Sequence, residues 1–343
     1  FLSTSIIPYL SNKWGAVHSF MAVSKGHSYE IFCDSLQEGL WFKHLNECFS
    51  EAELVVIPNS QREKRMYGIE HVLQYDRPDI ILKDNGVVIF VLERTVEVPS
   101  GHNVGQRFGR LVAAAKERIP VVYFGPYMAY KHGGATAGPR YMNLRLFYAL
   151  KNVANHFNTA VTTINWPVDQ HCEVLKTPLK DKRLIEYLDL FMGYYNIHGS
   201  MGLTEYIKNS SFQEEQYYEQ EVFAENEVQN PEQYDNPPES VEIMTVSQFE
   251  RSYCTLPYHD RSIQQIELYH VGMTYIRSDP YAGMAALYNY LYCGNGIAQV
   301  LHFPNIQYKE WRALRKTTKT YRMFKEFSYA ILFEDQLVMN ADL

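Results

Sequence analysis

The chain has no cysteine pair spaced to hold zinc: Cys33, Cys48, Cys172, Cys254 and Cys293 lie far apart, are odd in number and include no CxxC. That spacing excludes a zinc finger or ribbon and leaves reduced, packed thiols as the expectation. No run of 18 apolar residues occurs, and Phe1-Leu2-Ser3-Thr4-Ser5-Ile6-Ile7-Pro8 does not combine a basic leader with an apolar core. A cytoplasmic protein without a membrane partner is therefore expected. The glycines at Gly101/Gly105 and Gly133/Gly134 complete neither a dinucleotide fingerprint nor a P-loop, which removes any motif basis for NAD or ATP. Positive charge is not in excess either. The 32 Lys plus Arg against 39 Asp plus Glu give a net charge of -7, which excludes a uniformly basic coat but not a local basic groove.

At 343 residues and 46% hydrophobic content, the chain is long enough for one large domain or two unequal ones. Its 27 tyrosines suit packing and interfaces as well as base or sugar contacts. Residues 29–57 carry apolar positions at mixed helical spacing and end in a strand at Glu53-Leu54-Val55-Val56-Ile57, and a short helix is expected over 66–74. Further on, 103–115 reads as a helix with Asn103 as its cap, 119–126 as a buried strand, 143–157 as a helix and 160–167 as a strand.

The densest chemical signal lies between these segments. Arg77-Pro78-Asp79-Ile80-Ile81-Leu82 is a short apolar segment with a carboxylate, Lys83-Asp84-Asn85-Gly86 is a polar turn, and Val87-Val88-Ile89-Phe90-Val91-Leu92-Glu93-Arg94-Thr95-Val96-Glu97 is a second apolar segment. Asn-Gly between two such runs predicts a β-hairpin. Glu93, Thr95 and Glu97 then share one strand face while Arg94 points away. Asp79 and Glu93 converge on one divalent cation in this arrangement, and their hard oxygens suit Mg2+ chemistry at a phosphodiester.

The arrangement resembles the PD-(D/E)xK nuclease superfamily, which includes most type II restriction endonucleases, with Pro78-Asp79 as the first element and Glu93-Arg94-Thr95 in place of acid-x-Lys. The resemblance implies an α/β fold: a mixed central sheet flanked by helices, as a restriction-endonuclease-like core with a large helical extension. It also implies Mg2+ held by Asp79 and Glu93, with Glu70 as a further carboxylate from the preceding helix. The likeness departs at Thr95, where a hydroxyl orients water but cannot supply lysine's charge. Lys131, after the next core strand, is the leading candidate for the displaced positive group, and Lys83 in the turn is a weaker one. Gln106 is similar to a Gln that some members carry on the helix after the motif strand. Gln106, Arg107 and Arg110, near the start of that helix, are candidates for phosphate contact, the alternative being structural pairing with Glu97 or Glu117. His102, in the loop before it, is a candidate for phosphate contact or proton transfer.

A basic run of Lys309, Arg312, Arg315, Lys316, Lys319, Arg322 and Lys325 interleaves with Trp311, Leu314, Tyr321, Phe324 and Phe327. This pattern predicts a helix or broken helix with one packed and one charged face, the latter suited to DNA phosphates and base edges. Residues 1–213 are expected to form the nuclease core with an N-terminal extension. The acidic, proline-punctuated stretch 214–246 reads as a loop or connection, and 247–343 as a helical and aromatic lobe for DNA recognition or dimerisation. The expectation is a sequence-specific endonuclease for double-stranded DNA, acting as a homodimer so that two equivalent centres meet opposed strands. Alternatives are a non-catalytic DNA-binding protein on a degraded nuclease core and a structure-selective repair or defence nuclease.

Overall fold

A computed structural model describes residues 26–99, 103–130, 138–226, 240–258, 260–273 and 281–343. Strand structure begins earlier than the helical spacing of 29–57 predicts. Tyr29–Cys33 is strand β1, and the helix is confined to Leu36–Lys43 (α1), where the Ser35 hydroxyl caps the Glu38 amide at 3.3 Å. Ile31, Phe32 and Cys33 are all buried, so β1 reads as a continuous apolar run rather than an alternating one. Glu53–Val56 (β2) pairs with it in parallel. The helix expected over 66–74 is displaced to Gln61–Met66 (α2), because Gly68 at φ +67 ends it in a left-handed conformation.

Ile80–Asp84 (β3) and Val87–Arg94 (β4) form the expected hairpin, with Asn85 and Gly86 both at positive φ as a type I′ turn requires. Asn103–Lys116 (α3), Val121–Gly125 (β5), the small pair Met128–Ala129 (β6) and Arg140–Tyr141 (β7), Leu144–Phe157 (α4) and Val161–Asn165 (β8) follow. The six-stranded sheet has the order β2-β1-β3-β4-β5-β8, with β4, β5 and β8 parallel. Lys182–His198 (α5), Leu203–Lys208 (α6) and Ser211–Asn226 (α7) cover its outer face together with α1. The first part of the acidic stretch is thus helix rather than loop. Helix α7 turns Gln213 and Gln220 onto Thr162 and Thr163 of β8, and leaves its glutamates mostly towards solvent.

Residues beyond 240 form a second sheet where a helical lobe is expected. Val241–Thr245 (β9), Val246–Ser252 (α8), Gln265–His270 (β10), Tyr281–Tyr292 (α9), Ile297–Phe303 (β11), Tyr308–Arg312 (α10), Lys319–Glu326 (α11), Ala330–Phe333 (β12) and Leu337–Met339 (β13) give a five-stranded sheet in the order β13-β12-β11-β10-β9. The basic run is a broken helix, as its pattern implies: α10 and α11 bury Trp311, Tyr321 and Phe324 and turn most cations outward. Helices α3, α4, α9 and α11 fill the space between the sheets in one continuous core that includes Val91, Phe108, Leu111, Leu287, Leu301, Phe324 and Ile331. Among the described residues, no helix is long and apolar enough to cross a membrane.

The two halves of the core meet where α3 crosses α9. A β-carbon on Gly105 would press on the backbone of Gly283 and Met284, and one on Gly283 would press on the Gly105 carbonyl. Backbone cannot yield as a flexible side chain does. Gly105→Ala is therefore expected to destabilise the fold by about 2–3 kcal/mol, read as a lower midpoint in urea with an unchanged slope.

Candidate functional site

The open end of the hairpin, away from the Asn85-Gly86 turn, carries both acids that the sequence singles out. Asp79 immediately precedes β3 and Glu93 is the penultimate residue of β4; with Ile80 paired to Leu92, the ladder sets them opposite one another. Asp79 is 7% exposed and Glu93 is 0% exposed. The Arg94 amide donates to Asp79 Oδ2 at 2.5 Å. Arg107 and Arg110, three positions apart on α3, both donate to Glu93 Oε1, at 2.6 and 2.8 Å, while Glu93 Oε2 has no hydrogen-bond partner among the described residues. Arg110 Nε also lies 3.6 Å from Asp76 Oδ2, and Asp76 Oδ1 accepts from Lys319 Nζ at 3.0 Å. Tyr123, the register partner of Glu93 on β5, buries a phenol that likewise has no partner among the described residues.

Asp79 belongs to a second grouping that the sequence reading did not anticipate. Asp34, just after β1, and Glu38, in the first turn of α1, bring carboxylate oxygens within 4.8 Å of one another and of Asp79. The loop is tied down by the Asp34 amide, which donates to the Asp79 carbonyl at 3.0 Å, and by Arg77 Nη1, which donates to Asp34 Oδ1 at 3.0 Å. Three carboxylates at this spacing suit one hard divalent cation. Ser35-Leu36-Gln37-Glu38 is a helix-start pattern, and it would have located Glu38 at a strand end had 29–33 been read as a strand.

Burial sets the electrostatics. Removal from water pushes Asp79 up to about 6; the Arg94 amide opposes the rise, the Glu38 charge adds to it, and Arg110 and Arg107 moderate it. Burial, followed by the charge of Asp79, pushes Glu93 up to about 8 against the pull of both guanidiniums. Two carboxyls side by side thus hold protons far more readily than free ones.

The remaining candidates divide between this centre and elsewhere. Thr95 is buried, and its hydroxyl donates to the Glu97 carbonyl and accepts from the Glu97 amide, each at 3.1 Å. Glu70 is exposed on the turn after α2 and is not grouped with Asp79; Glu38 is the helix-borne acid found there. Lys83 lies at the turn end of the hairpin, donating to the Tyr67 carbonyl at 2.8 Å and pairing with Glu30 at 3.1 Å. Gln106 lines a small cleft between α3 and α11 with Tyr75, Asp76, Gly109 and Lys319. Arg312, Arg315 and Lys316 are exposed around the α10–α11 connection, whereas Lys319 is the one bound to Asp76. The Arg94 guanidinium stacks over Trp41 and Trp166, at 4.4 and 5.3 Å from the ring centres. His102 and Lys131 lie outside the described residues.

A carboxyl whose folded pKa is raised stabilises the fold only while protonated, so the Asp79 contribution is lost as pH climbs from its ordinary 3.8 through about 6. Asp79→Asn keeps an acceptor for the Arg94 amide and removes the buried charge. In metal-free buffer at pH 8 it is expected to stabilise the protein by about 1–3 kcal/mol, with the gain vanishing below pH 4, as measured by urea unfolding across pH. Mn2+ should raise the melting temperature of the parent protein and leave that of Asp79→Asn unmoved. An equal response in both proteins would exclude Asp79 as a ligand. Comparisons with protein-family models, curated proteins and solved structures give no match, so a functional reading rests on these residues and their geometry.

Proposed function

We propose that the protein is a divalent-metal-dependent endonuclease for double-stranded DNA. The observation that carries this reading is the double membership of Asp79: it faces Asp34 and Glu38 on one side and the arginine-clamped Glu93 on the other, at the open end of a hairpin that leads through a helix into a parallel strand. Support also comes from the order of β3, β4, α3 and β5 in a mixed sheet, which agrees with the core expected from the motif.

The donor set fits Mg2+, being all carboxylate oxygen with no thiolate or imidazole. Asp34, Glu38 and Asp79 would hold the ion. Bound there, Mg2+ supplies positive charge to a phosphate oxygen and acidifies a water molecule. Glu93 contributes through Oε2, which has no partner among the described residues, and burial raises both Glu93 and its neighbour Asp79 so that they take up protons more readily than free carboxyls. Arg107 and Arg110 bring fixed positive charge to the wall of the site. Exposed Arg312, Arg315 and Lys316 supply phosphate and base-edge contacts, which is the basis for proposing sequence recognition on a chain of net charge -7.

One observation favours a second reading, a DNA-binding protein on a degraded core. Thr95 stands where a lysine is expected, and its hydroxyl is engaged by the Glu97 backbone. Incubation with mixed-sequence linear DNA and Mg2+ or Mn2+, followed by end mapping, separates the two. Fragments with constant ends support the nuclease. DNA that is bound but intact under every metal supports the second reading. Asp79→Ala is expected to slow cleavage by about 100-fold or more, and Glu38→Gln by roughly 10–100-fold. Full-rate cleavage by a folded Asp79→Ala protein would remove the assignment.

A further inference from the structure

The two sheets repeat one arrangement. In the first, β3 runs antiparallel to β4, and β4, β5 and β8 continue in parallel, connected by α3 and α4. In the second, β9 runs antiparallel to β10, and β10, β11 and β12 continue in parallel, with α9 and then α10 and α11 as connections. The correspondence reaches single hydrogen bonds. The Thr95 amide, just after β4, donates to the Phe124 carbonyl at 2.9 Å, and the Val271 amide, just after β10, donates to the His302 carbonyl at 2.8 Å.

The helices between the sheets are exchanged reciprocally. Gly105 and Gly283 are each the third residue of their helices, and they press on one another where α3 and α9 cross. Helix α3 of the first unit packs on α11 of the second, with Gly109 beneath Met323 and Lys116 paired with Glu326. Helix α9 of the second packs on α4 of the first, where Asn152 Nδ2 donates to the Tyr290 carbonyl at 2.7 Å. These mutual contacts parallel those across a two-fold axis, with α9 meeting α4 more extensively than α3 meets α11.

The shared register shows what each unit holds at the sheet edge. Counting back from Thr95 and Val271, Tyr269 takes the place of Glu93; its pairing with Val241 then puts Val241 in the place of Asp79. Tyr269 and Val241 are buried and apolar in character, and provide no carboxylate. The acid on the same face of β10, Glu267, lies two residues deeper, opposite Gln299 rather than at the strand end. Among the described residues, the acidic triple able to hold a cation is the one around Asp79.

We infer that the chain is an intramolecular counterpart of a two-fold nuclease dimer with one competent centre, and that it therefore breaks one strand of a duplex per binding event. The inference rests on the nuclease reading above. In each event water adds across one P–O ester bond: its oxygen forms the new bond to phosphorus, the bond to the departing sugar oxygen breaks, that oxygen takes up one proton and the other passes to solvent. Cutting both strands at once needs a second centre, and the described residues of the second unit hold none. Its part is to complete the helix layer and to carry the exposed cations near α10 and α11.

The test uses the full chain on supercoiled plasmid with Mg2+ and, separately, Mn2+ titration by calorimetry. Nicked circles are expected to accumulate first, at a rate proportional to protein concentration, with linear DNA appearing only later. One Mn2+ per chain is expected, lost in Asp79→Asn. Direct conversion to linear DNA at a rate rising with the square of protein concentration would overturn the inference, as would a second Mn2+ that survives Asp79→Asn. Intact plasmid overturns it too, and the calorimetry then assigns the cause: one bound Mn2+ leaves a single centre without cleavage, whereas none removes the nuclease reading itself.

Discussion

Burying the Glu93 carboxylate at the end of β4 constrains how the rest of the molecule assembles. An ion with no exposure costs several kcal/mol unless it is matched, and taking one partner from a buried pair costs about 3–5 kcal/mol. Arg107 and Arg110 provide the match, so the rotation of α3 about its axis is set by the need to bring both guanidiniums to one oxygen. That rotation places Gly105 against Gly283 and Gly109 against Met323. One buried charge thus orients the helix through which the two sheets are joined.

The same hairpin offers a control for what a purely structural carboxylate looks like. Asp84, at its turn end, is also buried, yet it accepts from the Ser28 amide at 2.9 Å and the Tyr195 hydroxyl at 3.0 Å, and pairs with His27 at 2.8 Å. At the open end the accounts do not close: Glu93 Oε2 and the Tyr123 hydroxyl lack partners among the described residues, and Asp79 shares its surroundings with two further acids. Glu93 stands at the carboxyl end of β4, which runs parallel to β5, the end at which open α/β sheets place their sites.

Much of this was legible in the chain because it rests on local rules. Asn85-Gly86 dictated the turn, and the pairing of β3 with β4 followed from it, so Asp79 and Glu93 were placed opposite one another before any packing was known. Arg107 and Arg110 were visible as a helix-start pair, though their target was not, since an ion pair between β4 and α3 depends on tertiary register. Asp34 and Glu38 were missed for a different reason. Strand β1 is buried on both faces, so its apolar run has no period of two, and adjoining α1 lends it a helical appearance. The second sheet escaped in the same way, with short buried strands such as Ile297–Phe303 embedded among aromatic helices. No local rule announces an internal repeat whose two copies share register but not residues.

The departure at Thr95 then has a steric as well as a chemical side. Its amide bonds β5, its hydroxyl closes onto Glu97, and its methyl fills the space left by Gly125, where an added β-carbon would sit 2.6 Å from it. Positive charge reaches the acids from α3 instead of from the strand. The substitution changes how that charge is available. Arg107 and Arg110 are held by Glu93, so in the proposed reading a phosphate competes with that carboxylate for them. Burial and the charge of Asp79 raise Glu93 against the pull of both guanidiniums, so that protonating it would loosen its hold on Arg107 and Arg110. Within the proposed reading, the clamp that organises the fold is thereby also the reservoir from which an incoming phosphate draws its counter-charge.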